Sequence, residues 1–139
     1  GQIPYHLSRF YLLKIQDLLR SVNLPVEDVV KHKNNFVVLS NGQEIVGTVG
    51  LEIYGKKALL RSLAVDRTVQ GQGLGKKLYQ AIIKEATRRN LTELYLLTET
   101  ADQFFASFGF KIISRAEVDD KVKNSIEFQS LCPETATCM

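Results

Sequence analysis

Between residues 70 and 77 the chain reads Gln70-Gly71-Gln72-Gly73-Leu74-Gly75-Lys76-Lys77. The three glycines stand at alternate positions, so the backbone can turn tightly and approach a ligand without a Cβ in the way. A helical pattern follows, and a helix that begins here directs unpaired amide hydrogens and its positive dipole end at one place. The stretch therefore predicts an anion site, most naturally for phosphate. A tight turn with two solvated lysines is the alternative.

Two familiar phosphate loops are excluded by the spacing. A nucleotide P-loop requires glycine, four residues and then Gly-Lys-Ser/Thr, but Gln70 stands at the first glycine position and Lys77 stands where Ser or Thr belongs. A dinucleotide-binding loop requires Gly-x-Gly-x-x-Gly near the start of the fold. Here the third glycine comes one residue early, and the loop follows the third predicted strand.

On the N-terminal side, the sequence predicts two helices and three strands. Apolar residues at three- and four-residue steps indicate a helix from Ser8 to about Ser21. Pro25 suits the first turn of a short helix from Val26 to about His32. Asn41-Gly42 is a hairpin signal. The β-forming runs are Phe36 to Leu39, Ile45 to Ile53 and the mostly apolar Ala58 to Val65.

On the C-terminal side, the glycine loop opens a helix that extends to about Arg89. Leu94 to Leu97 resembles a buried strand, and a short helix from about Asp102 to Phe108 is closed by Gly109. The last predicted strands are Phe110 to Ser114 and Ser125 to Phe128. This order of elements indicates an α/β fold with a mixed sheet, antiparallel early and parallel across the long helical crossover.

Composition indicates one domain over residues 1–139. Of the 139 residues 45% are hydrophobic, and the formal net charge of +3 is not concentrated in one block. No apolar run approaches the roughly 18 residues that cross a bilayer, and the start lacks the sections of a signal peptide. We therefore expect a soluble cytoplasmic protein that binds neither nucleic acid nor membrane. A homodimer is left open. Cys132 and Cys138 fit no metal-ligand spacing, so we expect free thiols and no metal.

Two motifs, in the right order and separation, resemble the GCN5-related N-acetyltransferase (GNAT) superfamily. The first is Gln70-x-x-Gly73-x-Gly75, which matches the family's Arg/Gln-x-x-Gly-x-Gly/Ala pyrophosphate loop. The second is Ala101-x-x-Phe104-Phe105-x-x-x-Gly109-Phe110. The wider strings look like the small acetyltransferases of bacterial arsenic-resistance operons, which are similar to amino-acid N-acetyltransferases; these strings are Ala58 to Val65, Leu94 to Thr98 and Glu127 to Pro133. The resemblance extends from Leu24 onward.

The resemblance implies a three-layer α/β fold with a mixed, mostly antiparallel sheet, flanked by helices, in which two central parallel strands splay apart. It implies acetyl-CoA as cosubstrate, held between those strands, with the pantetheine along Leu63, Ala64 and Val65. The acetyl carbonyl would point at a backbone amide near Leu63. Phe105 would also contact the cofactor. The pyrophosphate would lie on the amides of Gln70, Gly71, Gln72, Gly73, Leu74, Gly75 and Lys76.

The sequence departs from the family at the residues that move protons. Many members have a tyrosine acid where this chain has Phe105, and some have a glutamate base where it has Leu59. A thiol pKa of about 8.5 makes coenzyme A a tolerable leaving group without an acid. The base would be a water or Glu99, just past a strand end, although Thr98-Glu99-Thr100 also suits a helix cap formed by Thr100.

Arg61 and Thr98 are the candidate substrate-binding residues. Alternation along the strand would place Arg61 on the same face as Leu63. An arginine inside an apolar strand needs an anionic partner, so Arg61 either clamps a substrate carboxylate or forms a structural salt bridge. The predicted function is direct transfer of an acetyl group to the primary amine of a small, amino-acid-like molecule. The alternative is a catalytically silent acetyl-CoA sensor or partner module.

Overall fold

The structure is a computed structural model that describes residues 9–40, 44–125, 128 and 135–139. Its helices are α1 (Arg9–Ser21), α2 (Leu74–Arg88), α3 (Asp102–Ala106) and α4 (Asp120–Lys123), with 3-10 helices at Val29–Asn35, Arg67–Val69 and Arg115–Glu117. Its strands are β1 (Phe36–Ser40), β2 (Ile45–Tyr54), β3 (Lys57–Val65), β4 (Glu93–Tyr95), β5 (Leu97–Thr98) and β6 (Thr137–Cys138).

The main sheet has the order β1-β2-β3-β4, and a second sheet pairs β5 with β6. The first three strands are antiparallel neighbours, whereas β4 runs parallel to β3 because α2 carries the chain back across the sheet. The mixed sheet flanked by helices confirms the predicted fold class. No helix in the described part of the chain is long and apolar enough to cross a membrane.

Helices cover both faces of the sheet. Leu78 and Ile82 of α2 are fully buried against one face, together with Leu51 and Leu60. Ile15 and Leu19 of α1 pack against the other face in a separate cluster. The apolar periods of these two helices were the signal that predicted them, and burial of their apolar faces is the main force that holds the three layers together.

The predictions for the segments around the sheet need correction at several points. The short helix predicted from Val26 to about His32 is instead a 3-10 helix at Val29–Asn35, and Pro25 precedes it without opening it. The strand predicted at Leu94 to Leu97 is interrupted at Leu96. Residues 110–114 form no strand, although Ile113 N–H donates to Cys138 O at 3.0 Å. The short strand β6 was not predicted.

Some predictions fall on residues outside the described part. They are the capping residue Ser8, the Asn41-Gly42 turn, Cys132 and half of the strand predicted at Ser125 to Phe128. The helix predicted from Asp102 ends early, at Ala106, and Gly109 follows it with φ of 100°. That left-handed conformation is one that glycine adopts without strain, which explains the glycine at this position.

Candidate functional site

The site begins where two strands part. β3 and β4 pair in parallel from Lys57–Glu93 to Leu59–Tyr95, and the pairing stops there. Leu96 then turns away from β3: its N–H donates to Met139 O at 2.9 Å, and its carbonyl accepts from Met139 N–H at 3.0 Å. Because the next strand, β5, pairs with β6, the far half of β3 faces an open cleft.

The cleft has a volume of about 890 Å³. One side is β3 and the opposite side is the segment from Leu96 to Ala101. A third side, here called the loop wall, follows α1 and consists of Val22, Asn23, Leu24, Pro25 and Glu27. The predicted site residues that line the cleft are Arg61, Leu63, Ala64, Val65, Gln70, Thr98, Glu99 and Phe105.

The glycine loop lies at the end of the cleft, where Gln70 joins the lining. Gln70 is fixed because its Nε2 donates to Val65 O at 3.0 Å. Gly71 and Gly73 have φ of 85° and 77°, and Gly73 is the N-cap of α2 without a side-chain hydrogen bond. The turn requires a left-handed backbone at these two positions, and glycine adopts that conformation without strain. The cleft lining does not include the other predicted loop residues, which follow Gln70 in the chain up to the first turn of α2; they are Gly71, Gln72, Gly73, Leu74, Gly75 and Lys76.

Asp66 holds the chain between β3 and this loop. Its N–H donates to Val46 O at 2.8 Å, and its Oδ1 accepts from both the N–H and the hydroxyl of Thr68. These hydrogen bonds stabilise the charged carboxylate and lower the pKa of Asp66. The glycine loop is therefore anchored to the sheet at its beginning.

A β-bulge at Ser62 sets the directions of the side chains around the cleft. Ser62 and Leu63 together stand opposite the single residue Val49, between the pairs Gly50–Arg61 and Thr48–Ala64, and Ser62 has φ of 59°. After the bulge, Leu63 packs with the α2 cluster, whereas Arg61 contacts Glu52. The expectation that Arg61 and Leu63 share one face is therefore wrong, because the extra residue reverses the alternation.

Arg61 forms a structural salt bridge, which was one of the two alternatives. Its side chain is 0% exposed, and its Nη1 lies 2.7 Å from Asp28 Oδ1 and 2.5 Å from Glu52 Oε1. Its Nε donates to Ser62 Oγ at 3.1 Å. The guanidinium is thus held by protein carboxylates, and the prediction that it clamps a substrate carboxylate is corrected on that ground.

Two more titratable groups join these residues. His32 Nε2 lies 3.7 Å from Glu52 Oε2, which also accepts a hydrogen bond from the Tyr54 hydroxyl at 2.6 Å. Burial lowers the pKa of His32, and this outweighs the attraction of Glu52. Burial, followed by the bond to Glu52, raises the pKa of Tyr54. We call Asp28, His32, Glu52 and Arg61 the buried charge cluster.

The cluster contains the donor types of a metal site. Ligand atoms of Asp28, His32 and Glu52 all lie within 4.8 Å of one another. However, Arg61 Nη1 already contacts both carboxylates, so a guanidinium supplies the positive charge there. The arrangement is one of a salt-bridge network.

Phe105 forms part of the cleft lining and of an aromatic cluster. It is buried, and its ring meets those of Phe104, Phe110 and Tyr79 at 5.2, 5.6 and 6.5 Å in edge-to-face geometry. It carries no proton to donate. Leu59, at the position of the family's glutamate base, is fully buried in a separate apolar cluster. The cleft therefore lacks both residues at the positions where the family places its acid and base.

The segment after β5 brings Thr98 and Glu99 to the cleft. Thr98 Oγ1 accepts from Ala101 N–H at 2.9 Å and so closes the turn before α3. Thr100 does not cap the helix as predicted: the N-cap is Ala101, without a side-chain hydrogen bond. Glu99 is exposed in the cleft lining, where its carboxylate meets water or a ligand.

A parallel strand pair that opens over a glycine loop is thus present, and the family comparison agrees with it. The family model for the acetyltransferase (GNAT) domain matches residues 32–112. The chain belongs to the GNAT acetyltransferase family. It is an acetyl-CoA-dependent N-acetyltransferase, as the two motifs predicted. The narrower branch, the acetyltransferases of arsenic-resistance operons, stays a prediction.

Individual known proteins are similar over most of the chain. An uncharacterized N-acetyltransferase of Chlorobaculum tepidum is 25% identical over 114 residues, which are 81% of this chain and 71% of that protein. A Mycobacterium tuberculosis protein solved with CoA has a TM-score of 0.79 at 20% identity, over 96% of this chain and 95% of that chain. N-acetylglutamate synthase of Neisseria gonorrhoeae, solved with CoA and N-acetyl-glutamate, has a TM-score of 0.79 at 18% identity. The match covers 97% of this GNAT chain but only 33% of the synthase chain.

Sequence reasoning missed the partners of Arg61. Asp28 lies 33 positions earlier in the chain, beyond the range of any local pattern. Glu52 left a usable signal, because a carboxylate inside the apolar run of β2 needs a buried cation just as Arg61 needs an anion. The bulge at Ser62 left none, since serine rarely adopts a positive φ.

Proposed function

We propose that acetyl-CoA binds in the cleft and that the protein transfers its acetyl group to the primary amine of a small molecule by direct attack. The observation that carries this proposal is the divergence of β3 from β5 over the glycine loop. An extended pantetheine chain can pair with the edge of β3 that no strand of the described residues covers, at Leu63, Ala64 and Val65. In this pose Phe105 packs against the cofactor from the opposite side.

The pyrophosphate is proposed to lie on the backbone amides from Gln70 to Lys76. Gly73 provides no side chain to cap α2, so amides of the first turn remain available to an anion. Lys76 and Lys77 are exposed in that turn, where cations oppose the helix dipole. A bound polyanion removes that conflict, which favours phosphate binding.

In the proposed reaction, the neutral amine nitrogen attacks the thioester carbonyl carbon. The new C–N bond forms, the oxyanion accepts a hydrogen bond from a backbone N–H near Leu63, and the C–S bond then breaks. The amine proton passes to Glu99, and the thiolate leaves without an acid because a thiol pKa is about 8.5. Holding amine and thioester together can supply about 7 kcal/mol or more.

The acceptor amine is proposed to enter between the loop wall and the segment from Thr98 to Ala101, both of which line the cleft. The cleft volume of about 890 Å³, part of which the pantetheine takes up, suits a small acceptor. A free carboxylate is not assumed for the acceptor, because Arg61 is paired with Asp28 and Glu52.

The test is release of free thiol from acetyl-CoA in the presence of a panel of primary amines, with the acetylated amine identified by mass spectrometry. We expect thiol release that depends on both acetyl-CoA and amine. If acetyl-CoA binds but no amine of the panel gives turnover, transfer to a small primary amine is overturned as the proposed function.

A further inference from the structure

The charges in the cleft bear on which amines it accepts. Among the described lining residues, the side chains with a formal charge are Glu27, Glu99 and Arg61. Glu27 and Glu99 are exposed, whereas the guanidinium of Arg61 is fully buried against Asp28 and Glu52. A ligand that enters the cleft therefore meets carboxylates.

The buried charge cluster does not offset the negative charge of the cleft. Asp28 and Glu52 carry two formal negative charges, and Arg61 carries one positive charge. Burial lowers the pKa of His32, so the imidazole is neutral at pH 7. The cluster thus has a formal charge of −1, and it adds to the negative charge of Glu27 and Glu99.

The two exposed carboxylates come from different sides of the cleft. Glu27 belongs to the loop wall, and its Oε2 accepts from Val26 N–H at 3.1 Å, which restricts the side chain. Glu99 follows β5 on another side. An acceptor in the cleft can therefore meet one carboxylate at its reacting amine and the other at a second group.

We propose that the acetyl acceptor is a diamine or polyamine, whose second ammonium group is bound by Glu27 while its reacting amine lies near Glu99. This inference rests on the proposed function and specifies its substrate class. A cationic group beside an exposed carboxylate gains a charge-assisted hydrogen bond. The acetyl transfer step itself is unchanged.

A carboxylate-bearing acceptor fits this cleft poorly. Its anion would lie near Glu27 or Glu99, and the described lining offers it only Arg61, which two protein carboxylates already engage. The Neisseria gonorrhoeae synthase was solved with N-acetyl-glutamate, but its 18% identity to this chain supports a common fold alone.

The decisive experiment compares amines of equal length and different charge, with thiol release from acetyl-CoA as the readout. The series is 1,4-diaminobutane, 1-aminobutane and 4-aminobutanoate. The pair L-lysinamide and L-norleucine repeats the comparison on an amino-acid frame. We expect kcat/KM to be highest for 1,4-diaminobutane and lowest for 4-aminobutanoate, with L-lysinamide above L-norleucine. Added salt should raise KM for the doubly charged diamine more than KM for 1-aminobutane, which carries one charge.

A substitution assigns the effect to Glu27. We expect Glu27→Gln to lower kcat/KM for 1,4-diaminobutane about tenfold, mainly through KM, as for loss of a hydrogen bond to a charged group. For 1-aminobutane, which has no second ammonium group, kcat/KM should fall by a much smaller factor. Asp17→Asn is the matched control. It removes one negative charge from the exposed side of α1, outside the cleft lining, and should leave kcat/KM for both substrates unchanged.

Each contrary result has a distinct meaning. Faster turnover of 4-aminobutanoate than of the diamine, or equal losses on all amines in Glu27→Gln, overturns this inference and leaves the proposed function standing. Absence of thiol release with every amine, while acetyl-CoA still binds, overturns the proposed function and the substrate class together.

Discussion

Arg61 Nη1 lies 2.7 Å from Asp28 Oδ1, and the two side chains are 0% and 3% exposed. This salt bridge joins the middle of β3 to the residue that follows Glu27 of the loop wall. It therefore fixes the position of the loop wall relative to the strand on which acetyl-CoA is proposed to bind. A buried ion pair of this kind contributes more to geometry than to net stability.

Arg61→Met should destabilise the fold. The variant leaves Asp28 and Glu52 as two buried carboxylates without their cation, and breaking a buried ion pair in this way costs about 3 to 5 kcal/mol. Urea denaturation monitored by circular dichroism measures the loss. The double variant Arg61→Met with Glu52→Gln should recover part of it, because one of the uncompensated charges is then removed.

A different result would show that Arg61 binds a substrate carboxylate. If Arg61→Met kept wild-type stability and lost turnover only with carboxylate-bearing amines, Arg61 would bind substrate and the salt bridge would be incidental.

The buried imidazole predicts a pH dependence of stability. The pKa of His32 is lowered by burial in the folded state and returns to about 6.5 on unfolding. Below pH 6.5 the unfolded chain therefore binds a proton more readily than the folded chain, so the stability contributed by neutral His32 is lost as the pH falls. Between pH 7.5 and 5.5, wild type should lose more stability than His32→Gln in thermal unfolding. If the stability of the two proteins fell equally with pH, His32 would not be the cause of the pH dependence.

Glu99 is expected to accept the proton of the amine. Glu99→Gln should lower kcat about hundredfold, at the lower end of the usual effect of a general base. Glu44→Gln, which removes a 77% exposed carboxylate outside the cleft lining, is the control and should leave kcat unchanged. An unchanged kcat in Glu99→Gln would mean that a water takes the proton.

The absence of a tyrosine at position 105 also predicts the shape of the pH–rate profile. With 1-aminobutane as the acceptor, which has no second ammonium group to lose, we expect kcat/KM to rise as the amine deprotonates, without a falling limb near pH 10, because Phe105 has no proton to lose. Stopped assays of thiol release across pH 6.5 to 10.5 give this profile. A falling limb near pH 10 would contradict this expectation and point to an acid at another position.

The sheet and the glycine loop could be predicted from local sequence. The long apolar runs of β2 and β3 and the helical period of α2 are strong periodic signals, and Gly71 and Gly73 stand where the turn requires a positive φ. Such features depend on residues that are close together in the chain, so a local sequence pattern is enough to predict them.

Two features that shape the cleft, β6 and the bulge at Ser62, could not be predicted from local sequence. β6 is two residues long and pairs with a strand about 40 positions earlier, so its stability comes entirely from tertiary contacts. The bulge at Ser62 reverses the direction of every later side chain of β3 without a local signal. That reversal is why Arg61 was expected beside Leu63 and is found with Asp28 instead.

The central claim, that the glycine loop and the cleft bind acetyl-CoA, is tested most directly by calorimetric titration of acetyl-CoA into three proteins. They are wild type, Gly73→Val and Gly55→Val. Gly73 and Gly55 have φ of 77° and 65°, and an added Cβ would meet no atom within 4 Å at either position. Both variants therefore strain the backbone similarly, at a cost of about 1 to 3 kcal/mol, but only Gly73 lies in the proposed phosphate site. We predict binding to wild type and Gly55→Val and at least hundredfold weaker binding to Gly73→Val. No binding to wild type, or equal binding to the two variants, would contradict the account.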